Sequence, residues 1–168
     1  MMKVEIREAR AADAERVIEY TKTIGGETDN LTFGASGFPI TVEQEADYLE
    51  SVYSADKSVH LLAVIDGEIV GDGSLSGLPR RMSHRADLGI TVRKSYWNKG
   101  IGSMLMQKLI EYAKDHGIEI INLEVRSDNA GAIHLYQKYG FQKIGTSPAY
   151  FKIDNSYHDF DIMYVDLR

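Results

Sequence analysis

Val4 and Ile6 alternate with charged neighbours, the period-two pattern of a half-buried strand. From about Ala11 to Thr23 the rhythm lengthens. Ala14, Val17, Ile18 and Thr21 recur at helical spacing with charges between them. GGETDNLTFGASGFP, residues 25–39, has no period and is dense in glycine and turn formers, so it reads as a long loop. Thr41 opens a second helix running to about Tyr53, with Gln44 as its capping-box partner. VHLLAVIDGEIVGDGSLSGL divides at Asp66-Gly67 into the two strands of a hairpin. A further strand covers about Ser83 to Val92. Ile101, Leu105, Leu109 and Tyr112 mark one face of a third helix, about Gly100 to His116, which Gly117 ends. IEIINLEVRS is the next strand, and Asn129 to Tyr139 a short helix stopped by Gly140. Two last strands, about Phe141 to Ile153 and Tyr157 to Leu167, turn at Asp154-Asn155.

The order is β-α-α-β-β-β-α-β-α-β-β. With no internal repeat, low-complexity tract or linker, it predicts one α/β domain over residues 1–168, a mixed central sheet flanked by helices. The chain has 168 residues, 43% of them hydrophobic, which suffices for one full core. A formal net charge of −6 argues against a broad nucleic-acid footprint. The absence of cysteine excludes a disulfide framework, a thiolate nucleophile and a zinc–sulfur site. Leu61 to Ile65 is the longest apolar run, too short for a membrane span, and the early charges do not resemble a signal peptide. A soluble, cytoplasmic protein without membrane attachment is expected. The five histidines show no metal-ligand spacing, so no metal is expected.

YWNKGIG, residues 96–102, joins the LGITV strand to the third helix and invites a phosphate reading. A Walker-type loop requires Gly-Lys-Ser/Thr after glycine and four residues, and no such string occurs. The dinucleotide fingerprint requires a third glycine at residue 105, which is leucine. What remains is a helix N-terminus whose backbone amides can hold an anion, with Gly100 and Gly102 removing Cβ atoms from its path. A tight turn with glycine for steric reasons alone is the competing reading.

LGITVRKSYWNKGIGSMLM resembles the acyl-coenzyme-A-binding motif of the GNAT superfamily of N-acetyltransferases, with Trp97 where glutamine or arginine is usual. LEVRSDNAGAIHLYQKYGF is similar to that superfamily's second block: asparagine, seven residues, tyrosine, then Gly-Phe. The resemblance spans about Leu88 to Phe141. It implies a GNAT-like fold, acetyl-CoA as co-substrate, and transfer to a primary amine by direct attack through a tetrahedral intermediate. It further implies that Ile90, Thr91 and Val92 bond the acetyl carbonyl and the pantetheine arm. Asn98, Lys99, Gly100, Ile101, Gly102 and Ser103 would hold the pyrophosphate. Asn129 would bond the pantetheine arm, and Lys138 would reach a coenzyme phosphate or remain a solvated lysine.

Such a transfer needs a proton acceptor for the arriving ammonium and benefits from a proton donor to the leaving thiolate. Tyr136, at the motif tyrosine, is the acid candidate; the competing reading is a core aromatic. Glu124 is the base candidate, because Ile121, Leu123 and Val125 share one face of their strand and Asn122, Glu124 and Arg126 the other. The string Leu-Glu-Val-Arg is similar to that of ribosomal-protein alanine acetyltransferases, where it carries the base. A solvent-facing glutamate or an ion pair with Arg126 is the alternative, and Asp87 or Glu27 are substitute bases. For the acceptor, Glu27 and Asp29 would attract an ammonium while Phe33, Tyr150 and Tyr157 wall a pocket. A small-molecule amine such as an amino acid or its analogue, as in phosphinothricin-type relatives, is the expected partner. Protein N-termini and a non-catalytic acyl-CoA sensor are the alternatives. Dimers are common in the superfamily, which leaves a homodimer open.

Overall fold

The computed structural model describes residues 2–168. Its elements are β1 (Glu5–Glu8), α1 (Ala14–Glu27), α2 (Val42–Tyr53), β2 (Val59–Ile65), β3 (Glu68–Gly77), β4 (Arg85–Val92), α3 (Ile101–Asp115), β5 (Ile120–Arg126), α4 (Ala130–Lys138), β6 (Gln142–Ile153) and β7 (Ser156–Asp166). They follow the predicted order. The seven strands form one sheet in the order β1-β2-β3-β4-β5-β7-β6, antiparallel throughout except for β4 against β5.

Local signals explain most boundaries. The Thr41 hydroxyl accepts from the Gln44 amide at 3.1 Å, and the Gln44 side chain accepts from the Thr41 amide at 2.9 Å. That reciprocal pair satisfies two orphan donors and fixes the start of α2. Asp66-Gly67 turns with φ of 49° and 82°, the left-handed pair that matches strand twist in a two-residue hairpin. On α3 the buried stripe is Ile101, Leu105, Met106, Leu109 and Ala113. Tyr112, expected within that stripe, lies at its flank and donates to the Ser58 carbonyl at 2.9 Å. Each large aliphatic side chain of the stripe contributes about 1.5–3 kcal/mol by burial.

One boundary differs from expectation. Helix α1 continues through Gly25 and Gly26 to Glu27, so the loop begins at Thr28. The glycines are there for closeness rather than for a turn. A Cβ on Gly25 would lie 2.1 Å from the Gly34 carbonyl oxygen, because the loop folds back onto the last turn of the helix.

Two hydrophobic clusters sandwich the sheet. Leu61, Ala63, Leu105, Leu109, Leu123 and Met163 belong to the one that includes α3, while Val17, Tyr20, Leu49 and Leu62 belong to the one beneath α1 and α2. Parallel pairing of β4 with β5 covers only Arg85–Asp87 against Ile120–Asn122. Beyond that register the two strands part, and the opening between them positions the site.

Candidate functional site

The opening leads into a cleft of about 1060 Å³ that runs from the turn before α3 across the sheet to α1 and α2. That is the upper end of the size range for ligand pockets, large enough for an extended cofactor plus an acceptor. Antiparallel ladders alternate residues bonded to the neighbour with residues turned away from it. Arg93 donates to the Val70 carbonyl and Leu78 to the Arg85 carbonyl, so odd-numbered residues of β4 bond to β3. Ile90 and Val92 therefore turn their N–H and C=O groups toward β5, into the gap. Thr91 does not. Its backbone pairs with Asp72, and its hydroxyl donates to the Asp72 carboxylate, with the Tyr20 hydroxyl 2.8 Å from the same oxygen. Thr91 lines the cleft nonetheless, with its backbone turned to β3.

At the turn before α3 the backbone is left-handed at Asn98 (φ 58°) and at Gly100 (φ 83°). The first amide used by the helix is that of Met104, which donates to the Gly100 carbonyl at 3.0 Å. The amides of Ile101, Gly102 and Ser103 are left pointing out of the helix N-terminus behind the Asn98–Gly100 turn, which is an anion site by geometry and by dipole. Gly100 supplies the left-handed conformation, and a Cβ there would meet only open space. Gly102 serves packing, since a Cβ would sit 3.1 Å from Leu135 Cδ2 of α4. Lys138 brings its ammonium to 3.4 Å from the Ser103 hydroxyl, beside those amides. Lys99 does not line the cleft; its ammonium lies 5.1 Å from the Tyr96 ring centre. Trp97 donates its indole N–H to the Val92 carbonyl at 2.8 Å and braces the turn against the end of β4.

Asn129 caps α4 by accepting from the Ala132 amide at 3.3 Å, and it also lines the cleft. Tyr136 is 7% exposed, lines the cleft, and its hydroxyl has no hydrogen-bond partner among the described residues. Burial pushes its phenol up to about 12, so it stays protonated at neutral pH. Across the gap, Ile121, Leu123 and Val125 are buried, while Glu124 faces out into the cleft. The ion pair of Glu124 with Arg126 does not form. Arg126 instead holds both oxygens of Asp128, at 2.7 and 3.0 Å. Asp87 accepts from the Asn122 side chain at 3.4 Å, outside the cleft lining.

The expected acceptor residues divide. Phe33 and Glu27 line the cleft, but Glu27 accepts from Arg93 at 3.3 Å and from the Lys94 amide at 2.8 Å, which leaves it little capacity for an ammonium. Asp29 and Tyr150 line a neighbouring pocket of about 330 Å³. Tyr157 is solvent-exposed. The sequence reading missed a polar cluster on the α2 side. His60 Nε2 is 3.0 Å from Asp72 Oδ2, and Glu45 is 7% exposed; all three line the cleft. Their positions lie on β2, β3 and α2 without any local motif. Among the described residues, no group of three or more His, Asp or Glu could hold a metal ion, and no helix is long and apolar enough to cross a membrane.

Known proteins are similar to this chain in sequence and fold. The family model described as Acetyltransferase (GNAT) family matches residues 29–141. The L-amino acid N-acetyltransferase AaaT of Escherichia coli is 36% identical over 124 residues, covering 71% of this chain and 76% of that protein. The N-alpha-acetyltransferase RimI of Mycobacterium tuberculosis is 32% identical over 91 residues, covering 54% of this chain and 56% of that protein. A GNAT-family acetyltransferase from Streptococcus pneumoniae superposes with a TM-score of 0.94 at 32% identity, covering 98% of this chain and 99% of that one. YncA of Salmonella typhimurium, solved with its cofactor acetyl-CoA, shares the fold with a TM-score of 0.83 at 20% identity, covering 98% and 94%. The chain belongs to the GNAT acetyltransferase family. It is an enzyme of acetyl transfer, and the reading as a non-catalytic sensor falls.

Proposed function

We propose that this acetyltransferase transfers an acetyl group from acetyl-CoA to the primary amine of a small molecule, an amino acid or a close analogue. The observation that carries this reading is the parting of β4 from β5, with Glu124 on one wall and the Tyr136 phenol on another. When bound, acetyl-CoA supplies the activated acetyl group as a thioester. The free amides of Ile101, Gly102 and Ser103, with Lys138 beside them, suit its pyrophosphate. Ile90 offers its N–H and C=O and Val92 its N–H along the gap, and the side-chain amide of Asn129 has donors to spare beyond its cap.

In this reading Glu124 accepts the proton that the arriving ammonium must lose, directly or through a water. Tyr136 donates to the departing thiolate. A phenol held protonated by burial, with its hydroxyl free, suits that role. Similarity to an L-amino acid acetyltransferase over 71% of the chain supports a small acceptor. A second reading, acetylation of a protein N-terminus, draws on the shorter match to RimI.

A panel of free amino acids, simple amines and short peptides, read by thiol release from acetyl-CoA with mass spectrometry of the product, tests this. Turnover of free amines above that of any peptide N-terminus supports the first reading. Turnover confined to peptides replaces it with the second.

A further inference from the structure

The α2 end of the cleft contains a carboxyl group that the fold itself leaves without a partner. Glu45 lies one turn into α2, is 93% buried, lines the cleft, and makes no hydrogen bond or ion pair through its side chain among the described residues. Its oxygens are not sealed in the core but open onto the cleft, where a cationic ligand would answer the charge. Burial holds its titration above the usual range while the neighbouring His60 pulls it back. His60 gives one ring nitrogen to Asp72, and its other nitrogen, Nδ1, is buried with no hydrogen-bond partner. Two unsatisfied polar groups of different elements thus meet at one wall. Thr91 and Tyr20 complete the support behind Asp72 and fix its carboxylate against the histidine.

The register sets this cluster in line with the proposed base. His60 pairs with Ser74, and Ser74 with Gly89. Continuing the β4–β5 register two residues past Asp87–Asn122 brings Gly89 level with Glu124. Residues opposite one another share a face, so His60, Ser74, Gly89 and Glu124 lie in one row on the α1/α2 side. Gly89 and Ser74 leave the floor of that row low. Two paired strand spacings and the wider opening between β4 and β5 separate its ends, more than about 14 Å between backbones. Glu45 and Glu124 line the same cleft from its two ends, so a ligand that touches both is an extended chain.

One carboxylate along the row is in excess: burial opposes a charge on His60 but its bond to Asp72 raises its titration, so the imidazole offsets at most one of Asp72 and Glu45. No Lys or Arg of α1, α2, β2 or β3 lines the cleft, whereas Glu45 and Asp72 do. Glu27, the other acid on that side, is neutralised by Arg93. We propose that Glu45, with His60 positioned by Asp72, forms a subsite for a second cationic group on the acceptor, an ammonium or guanidinium carried on a short aliphatic chain whose other end presents the amine to Glu124. This inference rests on the small-amine reading above and narrows its acceptors to amines that carry a second cationic group, basic amino acids included.

The test compares 1,5-diaminopentane with 1-aminopentane, which differ only in the distal charge. The expected result is a kcat/KM at least about tenfold higher for the diamine, beyond the statistical advantage of its second amine. Glu45→Gln should bring that ratio close to the statistical value, and Glu45→Met should invert it in favour of 1-aminopentane. Equal preference in the parent enzyme, or a ratio unchanged in both variants, overturns the subsite while leaving amine acetylation standing. If neither amine is turned over, the small-amine reading is decided separately by the amino-acid and peptide panel above. Calorimetry of 1,5-diaminopentane with the CoA-loaded protein then decides the subsite. An affinity at least about tenfold weaker in Glu45→Gln than in the parent supports it. No binding, or equal binding in both, overturns it.

Discussion

The two ends of the cleft are built from different materials. At the α3 end, one continuous stretch from Asn98 to Ser103 presents backbone amides, and side chains serve mainly to hold the turn in shape. At the α2 end, side chains from α1, α2, β2, β3 and β4 converge, and no backbone group is offered to a ligand from β3 or the odd positions of β4. A backbone site tolerates exchange of the residues that form it, provided the φ angles survive. A convergent side-chain site has no such tolerance, because each group is both structure and chemistry. The first suits a constant ligand, such as the donor. The second suits an acceptor that differs from one enzyme to another.

The middle of the cleft, where the two ends meet, should be the most sensitive to substitution. Tyr136→Phe keeps the ring and its packing on Phe141 but deletes the hydroxyl. Turnover should fall roughly a hundredfold. Donor affinity should change by no more than the 0.5–1.5 kcal/mol typical of one hydrogen bond, about a tenfold ceiling. Single-turnover kinetics beside calorimetry separate the two. Equal losses would make Tyr136 a binding residue.

At the α3 end the expected effect is smaller. Gly100→Ala must hold an L-residue at a left-handed φ, costing about 1–2 kcal/mol. Its new Cβ meets nothing, so packing is spared. Relaxation of the strained turn should re-aim the amides and weaken acetyl-CoA binding by about tenfold, with a modest fall in melting temperature. An unchanged affinity would show that the amides do not carry the pyrophosphate. The smallest effect is expected at Trp97, 43% exposed. Trp97→Gln loses the bond to the Val92 carbonyl but no amide of the turn, so donor affinity should change by less than about fivefold. A larger loss would mean that the side chain, not the backbone, defines this end.

The same contrast governs what could be read from the amino-acid sequence. The turn and the α4 motif are local strings, and local strings carry their geometry with them: Thr41 with Gln44, Asp66-Gly67, and Asp154-Asn155 with φ of 48° and 63° all folded as their residue types dictate. The face of Glu124 followed from simple alternation along β5. Glu45, His60 and Asp72 carried no such signal. Each looks ordinary in its own element, and only the register of β2 on β3 and the seat of α2 bring them together. Helix α1 overran its predicted end for a related reason. What fixes Gly25 is the carbonyl of Gly34, a contact across the loop that helix propensity does not see. Trp97 shows the reverse case, a departure from the usual motif residue that the backbone absorbs.

Proton removal from the acceptor by Glu124 is tested most directly by the pH profile of Glu124→Gln. With an accepted amine as substrate, kcat/KM should lie roughly a hundredfold below the parent at neutral pH. The gap should narrow steadily as pH rises toward the amine's own pKa, because free amine then arrives without needing a base. A variant with near-parental kcat/KM across the whole range would contradict the claim and move the base to another group in the cleft.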